Sequence, residues 1–103
     1  MGGSSSKESF GDKTAKSTVT VQYCGGWGYR SHAVKVLNYV QGKFGDSVKV
    51  NFNRDSGVTG NLIVTVVHGG KSTVVHSKTD GDGLVNDSNK DDMLEKIATA
   101  IEA

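Results

Sequence analysis

Thr18-Val19-Thr20-Val21-Gln22-Tyr23, running on into Cys24-Gly25-Gly26-Trp27-Gly28-Tyr29, is the stretch on which the fold turns. Its first half alternates polar and apolar residues with a period of two and is rich in β-branched side chains. That predicts a strand with Val19, Val21 and Tyr23 on one face. Gly25, Gly26 and Gly28 then break the strand into a loop. From Tyr29 the period lengthens. Ala33, Val36, Leu37, Val40 and Phe44 fall on one helical stripe, while Lys35, Asn38 and Lys43 lie elsewhere. The valines lower intrinsic helix propensity, so this helix needs a sheet to dock against. Gly45 is its natural stop.

Working outward, Val48, Val50 and Phe52 alternate again and predict a second strand. Strand, helix and strand in succession make a βαβ unit, in which the two strands run parallel. Residues 53–60 are polar and read as a loop. Leu62-Ile63-Val64-Thr65-Val66-Val67 is nearly continuous in apolar residues, as a central strand would be. His68-Gly69-Gly70-Lys71 turns the chain, and Ser72 to His76 returns antiparallel. A polar loop from Thr79 to Asn89 leads to a last helix. Ser88 or Asn89 serves as its N-cap, with Asp91 and Asp92 in the first turn and a stripe of Leu94, Ile97, Ala98 and Ile101. The expected order is β-α-β-β-β-α, a four-stranded mixed sheet with two helices. Two apolar stripes cover one sheet face, giving a two-layer α/β sandwich of the thioredoxin-like kind.

The whole chain has 103 residues, no proline, one cysteine and a formal net charge of +1. Those values indicate one ordinary globular domain. Residues 1–17 are rich in Ser, Gly and Lys, with Phe10 the only large apolar side chain beyond Met1, and are expected as a flexible tail. Residues 18–103 are enough for one modest core. The lysines are scattered and not interleaved with aromatics, which argues against nucleic-acid binding. No apolar run reaches the length of a membrane span, and the N-terminus lacks the apolar region of a secretory signal. With a single free cysteine, these features point to a reducing, cytoplasmic setting.

Met1-Gly2-Gly3-Ser4-Ser5-Ser6 fits the N-myristoylation pattern, with Gly2 as acceptor and Ser6 in the required place; a plain polar leader is the other reading. One acyl chain holds a membrane only marginally. The tail has no cysteine to take a second chain, and Lys7, Lys13 and Lys16 are partly offset by Glu8 and Asp12. The sequence therefore places the protein at a membrane surface only if Gly2 is acylated.

Cys24 is the one candidate for chemistry. It stands between a strand end and a helix start, where backbone amides and the helix dipole favour a thiolate. Gly25, Gly26 and Gly28 let backbone approach a bound thiol, peptide or glutathione closely. Those features favour an accessible thiol, although a small buried residue at a strand end is the plainer alternative. The spacing is Cys-x-x-Trp. Trp27 cannot resolve a mixed disulfide as a second thiol would, so any reaction is monothiol chemistry with glutathione or a protein thiol. Trp27 and Tyr29 either form an exposed aromatic patch for a protein partner or pack beneath the loop. His32, one turn into the helix, either helps to hold a thiolate or is solvated.

Other groupings carry no chemistry. His68 and His76 lack metal-ligand spacing, and a single cysteine speaks against zinc. Asp80-Gly81-Asp82-Gly83 lacks the spacing and closing glutamate of a calcium loop. Gly69-Gly70-Lys71-Ser72 sits in a hairpin, not ahead of a helix, so it is no phosphate loop. The expectation is no metal and no resident cofactor.

Tyr23-Cys24-Gly25-Gly26-Trp27-Gly28-Tyr29 resembles the Tyr-Cys-x-x-Sec/Cys-x-Tyr signature of the selenoprotein W (Rdx) family, with Trp27 at the selenocysteine position. Thr59-Gly60, Val75-His76-Ser77-Lys78 and Gly81-Asp82-Gly83 follow in the family's order, so the resemblance runs from Thr18 to the C-terminus. It implies a thioredoxin-like fold and glutathione-linked redox defence or signalling. Some relatives are lipid-anchored and act mainly through protein contacts. Cys24 matches the family cysteine; Trp27 departs from the pattern, and the cysteine some relatives carry in the second strand is absent. Two accounts of Trp27 stand side by side. A UGA codon read as tryptophan gives this sequence, and so does a protein that has left redox catalysis for a binding role.

Overall fold

The computed structural model describes residues 6–11 and 14–102. The strands are β1 (Ser6–Phe10), β2 (Ser17–Tyr23), β3 (Val48–Arg54), β4 (Leu62–His68) and β5 (Lys71–Ser77); the helices are α1 (Tyr29–Phe44) and α2 (Lys90–Glu102). The sheet order is β1-β3-β2-β4-β5. β2 and β3 run parallel across α1, as a strand–helix–strand unit requires, and the remaining pairs are antiparallel.

Burial follows the alternation. Val19, Val21 and Tyr23 of β2, Val48, Val50 and Phe52 of β3, and Leu62, Val64 and Val66 of β4 all face the core. Ala33, Val36, Leu37 and Val40 from α1 and Met93, Leu94 and Ile97 from α2 close over them. Each fully buried side chain of this size contributes about 1.5–3 kcal/mol through the apolar surface it removes from water. The opposite sheet face carries Thr18, Thr20, Asn51 and Thr65, and no helix covers it among the described residues. The result is the expected thioredoxin-like α/β sandwich, with one strand more.

The additional strand is β1, within the segment expected as a flexible tail. Over Ser6–Phe10 that expectation fails: the strand pairs antiparallel with β3 in the register Ser6↔Arg54 to Phe10↔Val50. Three contacts explain why so polar a strand is held. Phe10 packs edge-on against Phe52 at 4.8 Å between ring centroids, Glu8 pairs with both guanidinium nitrogens of Arg30, and Ser9 Oγ donates to Asn51 Oδ1 at 2.8 Å. The free edge of β3 supplies backbone partners. Gly2 lies outside the described residues.

Two details depart from simple ladders. Opposite Val64 and Thr65 the register of β5 slips, with His76 facing Val64 and Val74 facing Thr65, so Val75 is the extra residue of a bulge. At the start of α2, Asn89 holds the N-cap position but directs its side chain backwards. Its Oδ1 accepts from Asn86 N at 2.8 Å and its Nδ2 donates to Leu84 O at 3.0 Å, tying the preceding loop to the helix.

Candidate functional site

β2 ends at Tyr23 and delivers Cys24 to the end of the sheet where β3 also finishes. There the loop 55–61, which connects β3 to β4, folds back over the cysteine. Cys24 N donates to Asn61 O at 2.9 Å, Gly25 N to Gly57 O at 2.9 Å, and Asp55 N to Tyr23 O at 2.8 Å. Cys24 is consequently 1% exposed, against the sequence expectation of an accessible thiol. The reason is the chain's own backbone. A Cβ on Gly25 would stand 2.3 Å from Asp55 O and 2.8 Å from Gly57 O, so the close approach that the glycine permits is made by this loop. At Gly26 the tight neighbour is the sulfur itself: a Cβ there would lie 3.1 Å from Cys24 Sγ, with the Val58 side chain in ordinary contact at 3.4 Å.

The same enclosure conditions the sulfur. Gly26 N donates to Cys24 Sγ at 3.2 Å and Thr59 N at 3.3 Å. Burial pushes the thiol pKa up, but the amides of Gly60, Gly26 and Thr59, with the Thr59 hydroxyl, outweigh it and hold Cys24 below the ordinary thiol value. Backbone amides, not a basic side chain, favour the thiolate.

Asp55 organises the covering loop. Its Oδ1 accepts from Gln22 Nε2 at 2.8 Å, and its Oδ2 accepts from Asn61 Nδ2 at 3.1 Å and from the Thr59 hydroxyl, which in turn accepts from Asn61 N at 3.3 Å. Burial opposes its ionisation; the donors Thr59, Gln22 and Asn61 prevail and lower its pKa below the usual carboxylate value. Asp55, Gln22 and Asn61 were not singled out in the sequence. The available signal was slight: Asp55-Ser56-Gly57 has turn composition, and Gln22 is the outward polar residue next to the strand's last core position. Thr59-Gly60, noted only through the family resemblance, sits directly on the sulfur.

Beyond Gly26 the loop changes character. Trp27 is 101% exposed and makes none of the packing contacts that a ring beneath the loop would make. Gly28 adopts φ 91° at the N-cap of α1 with no side-chain cap; its carbonyl accepts from Ser31 Oγ at 2.7 Å. Tyr29 is half-buried, edge-on to His32 at 6.0 Å and beneath the Lys78 ammonium. His32 is thus engaged with Tyr29; its Nδ1 is buried without a hydrogen-bond partner, and the donors to Cys24 Sγ are the Gly26 and Thr59 amides rather than this ring. A cleft of about 540 Å³ opens beside the loop, with Arg30 and Arg54 on its wall and Arg54 donating to Gly25 O at 3.1 Å. Among the described residues no three His, Cys, Asp or Glu side chains gather as a metal-holding group.

The chain is 39% identical over 84 residues to selenoprotein W of Danio rerio, covering 82% of this chain and 90% of the zebrafish protein. It is 35% identical over 85 residues to selenoprotein W of Gallus gallus, covering 82% of this chain and 92% of that protein. The chain belongs to the selenoprotein W family. No family model matches it. Within this selenoprotein W fold the signature cysteine, Cys24, is the residue the loop encloses, and the position of the departure, Trp27, is the residue it leaves in solvent.

Proposed function

We propose that this selenoprotein W relative is a cytoplasmic thiol-redox protein that works through Cys24 alone, with glutathione or a protein thiol as partner. The observation that carries the reading is the sulfur's setting: two backbone amides at 3.2 and 3.3 Å and a thiol pKa below the ordinary value. Family membership supports a redox-related role.

The chemistry is an exchange. The Cys24 thiolate attacks the glutathione sulfur of a protein–glutathione mixed disulfide, the S–S bond breaks, and the protein thiolate leaves with its electron pair. The mixed disulfide on Cys24 is then opened by a second glutathione thiolate, which regenerates Cys24 and releases glutathione disulfide. Trp27 offers no sulfur for an internal resolving step. Because Val58 and the Thr59 amide lie over the site, attack requires the segment 57–59 to lift from the sulfur.

Incubation with glutathione disulfide and intact-mass measurement tests this. One glutathione adduct is expected, absent from Cys24→Ser and removed by reduced glutathione. The alkylation rate of Cys24 should rise with pH through a midpoint below about 8.5, the ordinary thiol value. No adduct on the folded wild-type protein, or a midpoint above that value, refutes the reading.

A second reading is favoured by the full exposure of Trp27: an interaction module whose contact surface is the Gly26–Tyr29 loop. It predicts that binding survives Cys24→Ser and is damaged by Trp27→Ala. Selenium found at position 27 in protein from its native cells would transfer the chemistry to a selenol and remove this second reading.

A further inference from the structure

At the far end of the sheet from Cys24, a cavity of about 680 Å³ separates the β4–β5 hairpin from α2. His68 pairs with Ser17, the first residue of β2, whereas Cys24 follows the last, so the length of the strand lies between this groove and the thiol. Val66, Val75 and Ala100 give the groove an apolar floor. One wall is a single side of α2: Asp92, Lys96, Thr99 and Ala100 recur at helical spacing, turned away from the buried Met93, Leu94 and Ile97. The other wall is β5, an edge strand of the sheet. Ser17 Oγ and His68 Nδ1 lie 2.5 Å apart and fix the imidazole at the hairpin end.

The register of the hairpin says what the edge can accept. Gly69 and Gly70 form a two-residue turn, both at positive φ, closed by the pair His68 and Lys71. In such a hairpin the closing pair bonds across to itself, and every second residue turns its backbone outward. Ser72 and Val74 therefore direct their N–H and C=O groups to the free edge. Among the described residues no other segment takes them up. An extended backbone matches that spacing of donors and acceptors. The side chains sort by face: Lys71 and Thr73 share the groove side with His68 and Val66, whereas Val74, 58% exposed, shares the opposite side with Thr65.

We propose that β5 and α2 form a docking groove for an extended segment of another protein, which adds as a short strand along Lys71–Val74 and sets an apolar side chain on the floor of Val66, Val75 and Ala100. Main-chain bonds to Ser72 and Val74 supply the attachment, and the groove selects among alternate side chains. Charge narrows the partner. Lys71, Lys96, Asp92 and Glu95 all line the groove, and none of them is in an ion pair among the described residues. Two cations beside two anions match neither a polyanion nor a polycation. The fitting segment flanks its apolar residue with one acidic and one basic side chain. A second copy pairing through its own β5 would bring Lys71 and Thr73 to the groove, a charge and a hydroxyl where the floor is apolar. The bulge at Val75 ends the regular pairing and keeps the added strand short.

The probe is a peptide selected from a displayed random library on the full-length protein and then synthesised. The selected sequences are expected to alternate apolar with polar residues and to carry both charges. On adding the peptide, amide hydrogen exchange should slow at Ser72 and Val74 and stay unchanged over Gly26–Tyr29. Val74→Pro removes an outward N–H that the fold does not use, a change that an edge strand tolerates. It should weaken binding about tenfold, the net contribution of one or two main-chain hydrogen bonds. Ala100→Glu sets a charge on the floor, keeps every edge amide and should weaken binding to a similar degree; circular dichroism checks both folds, and Ala100→Glu decides if Val74→Pro does not fold. Cys24→Ser should bind as the wild type does, which keeps this surface separate from the thiol reading. Failure to enrich any peptide overturns the proposal, as does unchanged affinity in the folded variants or protection confined to the Gly26–Tyr29 loop. Dimerisation in sedimentation that protects Ser72 and Val74 without peptide overturns it in favour of a second copy.

Discussion

The two halves of the loop between β2 and α1 are built on opposite terms. Cys24, Gly25 and Gly26 are clamped by backbone hydrogen bonds and near-contact with the 55–61 loop, whereas Trp27 stands in solvent and a side chain at Gly28 would enter open space. In a Cys-x-x-Trp sequence the two marked positions are three residues apart, yet one lies behind the protein surface and the other beyond it. The difference teaches that this fold invests its structure in the first position. The amides, the Asp55 hub and the obligatory glycine all serve Cys24, and position 27 can change its side chain without disturbing them.

That contrast is open to mutation, and the largest effect is expected at Gly25. Gly25→Ala drives a methyl group into two carbonyl oxygens of the covering loop. It should cost about 3 kcal/mol in a denaturant melt, the upper range of overpacking penalties. A loss under 1 kcal/mol would mean that the loop is not pressed against the cysteine.

Next is Asp55→Ala, which leaves Gln22, Thr59 and Asn61 without their shared acceptor. About 1–3 kcal/mol is expected. The pH dependence has a definite sign. The folded-state pKa of Asp55 is lowered, so its contribution is present above the unfolded value of about 3.9 and is lost as pH falls through the lower folded value. Asp55→Asn should flatten that part of the stability curve, and an unchanged acid limb would remove Asp55 from the account.

Smaller effects belong to the outer half. Gly28→Ala meets no atom within 4 Å but must hold φ 91°, a left-handed conformation that costs a residue with a Cβ about 1–2 kcal/mol. Trp27→Ala should change stability least, within about 0.5 kcal/mol. If it destabilises as much as Gly25→Ala, the two halves of the loop are not distinct.

Much of this was legible in the sequence because the periodicities are strong. The β2 and β3 alternation and the α1 stripe each gave the buried face residue by residue, and the order of elements from β2 onward followed. β1 was not legible. Ser6–Phe10 has one large apolar side chain among polar residues, and what holds it is distant: Phe52, Arg30 and the unpaired edge of β3. A local pattern cannot report an edge that exists only once the sheet has formed.

The site was legible in outline and hidden in its closure. Glycines at 25 and 26 announced a close approach, but nothing nearby said that the approaching group was the chain's own 55–57 backbone. Burial of Cys24 is a tertiary fact of the same kind. Where the sequence left two readings of Trp27, packed or exposed, the answer depended on how much room the 55–61 loop occupied.

The bulge at Val75 has a consequence for life at high concentration. A sheet with two free edges invites copies of itself to join and grow into fibres. Here one edge strand is β1, only five residues long and mostly polar, and at the other edge the slipped register of β5 breaks the repeat that an incoming strand would have to match. Lys71 begins that same strand, adding a charge that an apolar stack would have to desolvate. With one margin short and mostly polar and the other irregular, neither offers a long apolar border on which polymerisation could start.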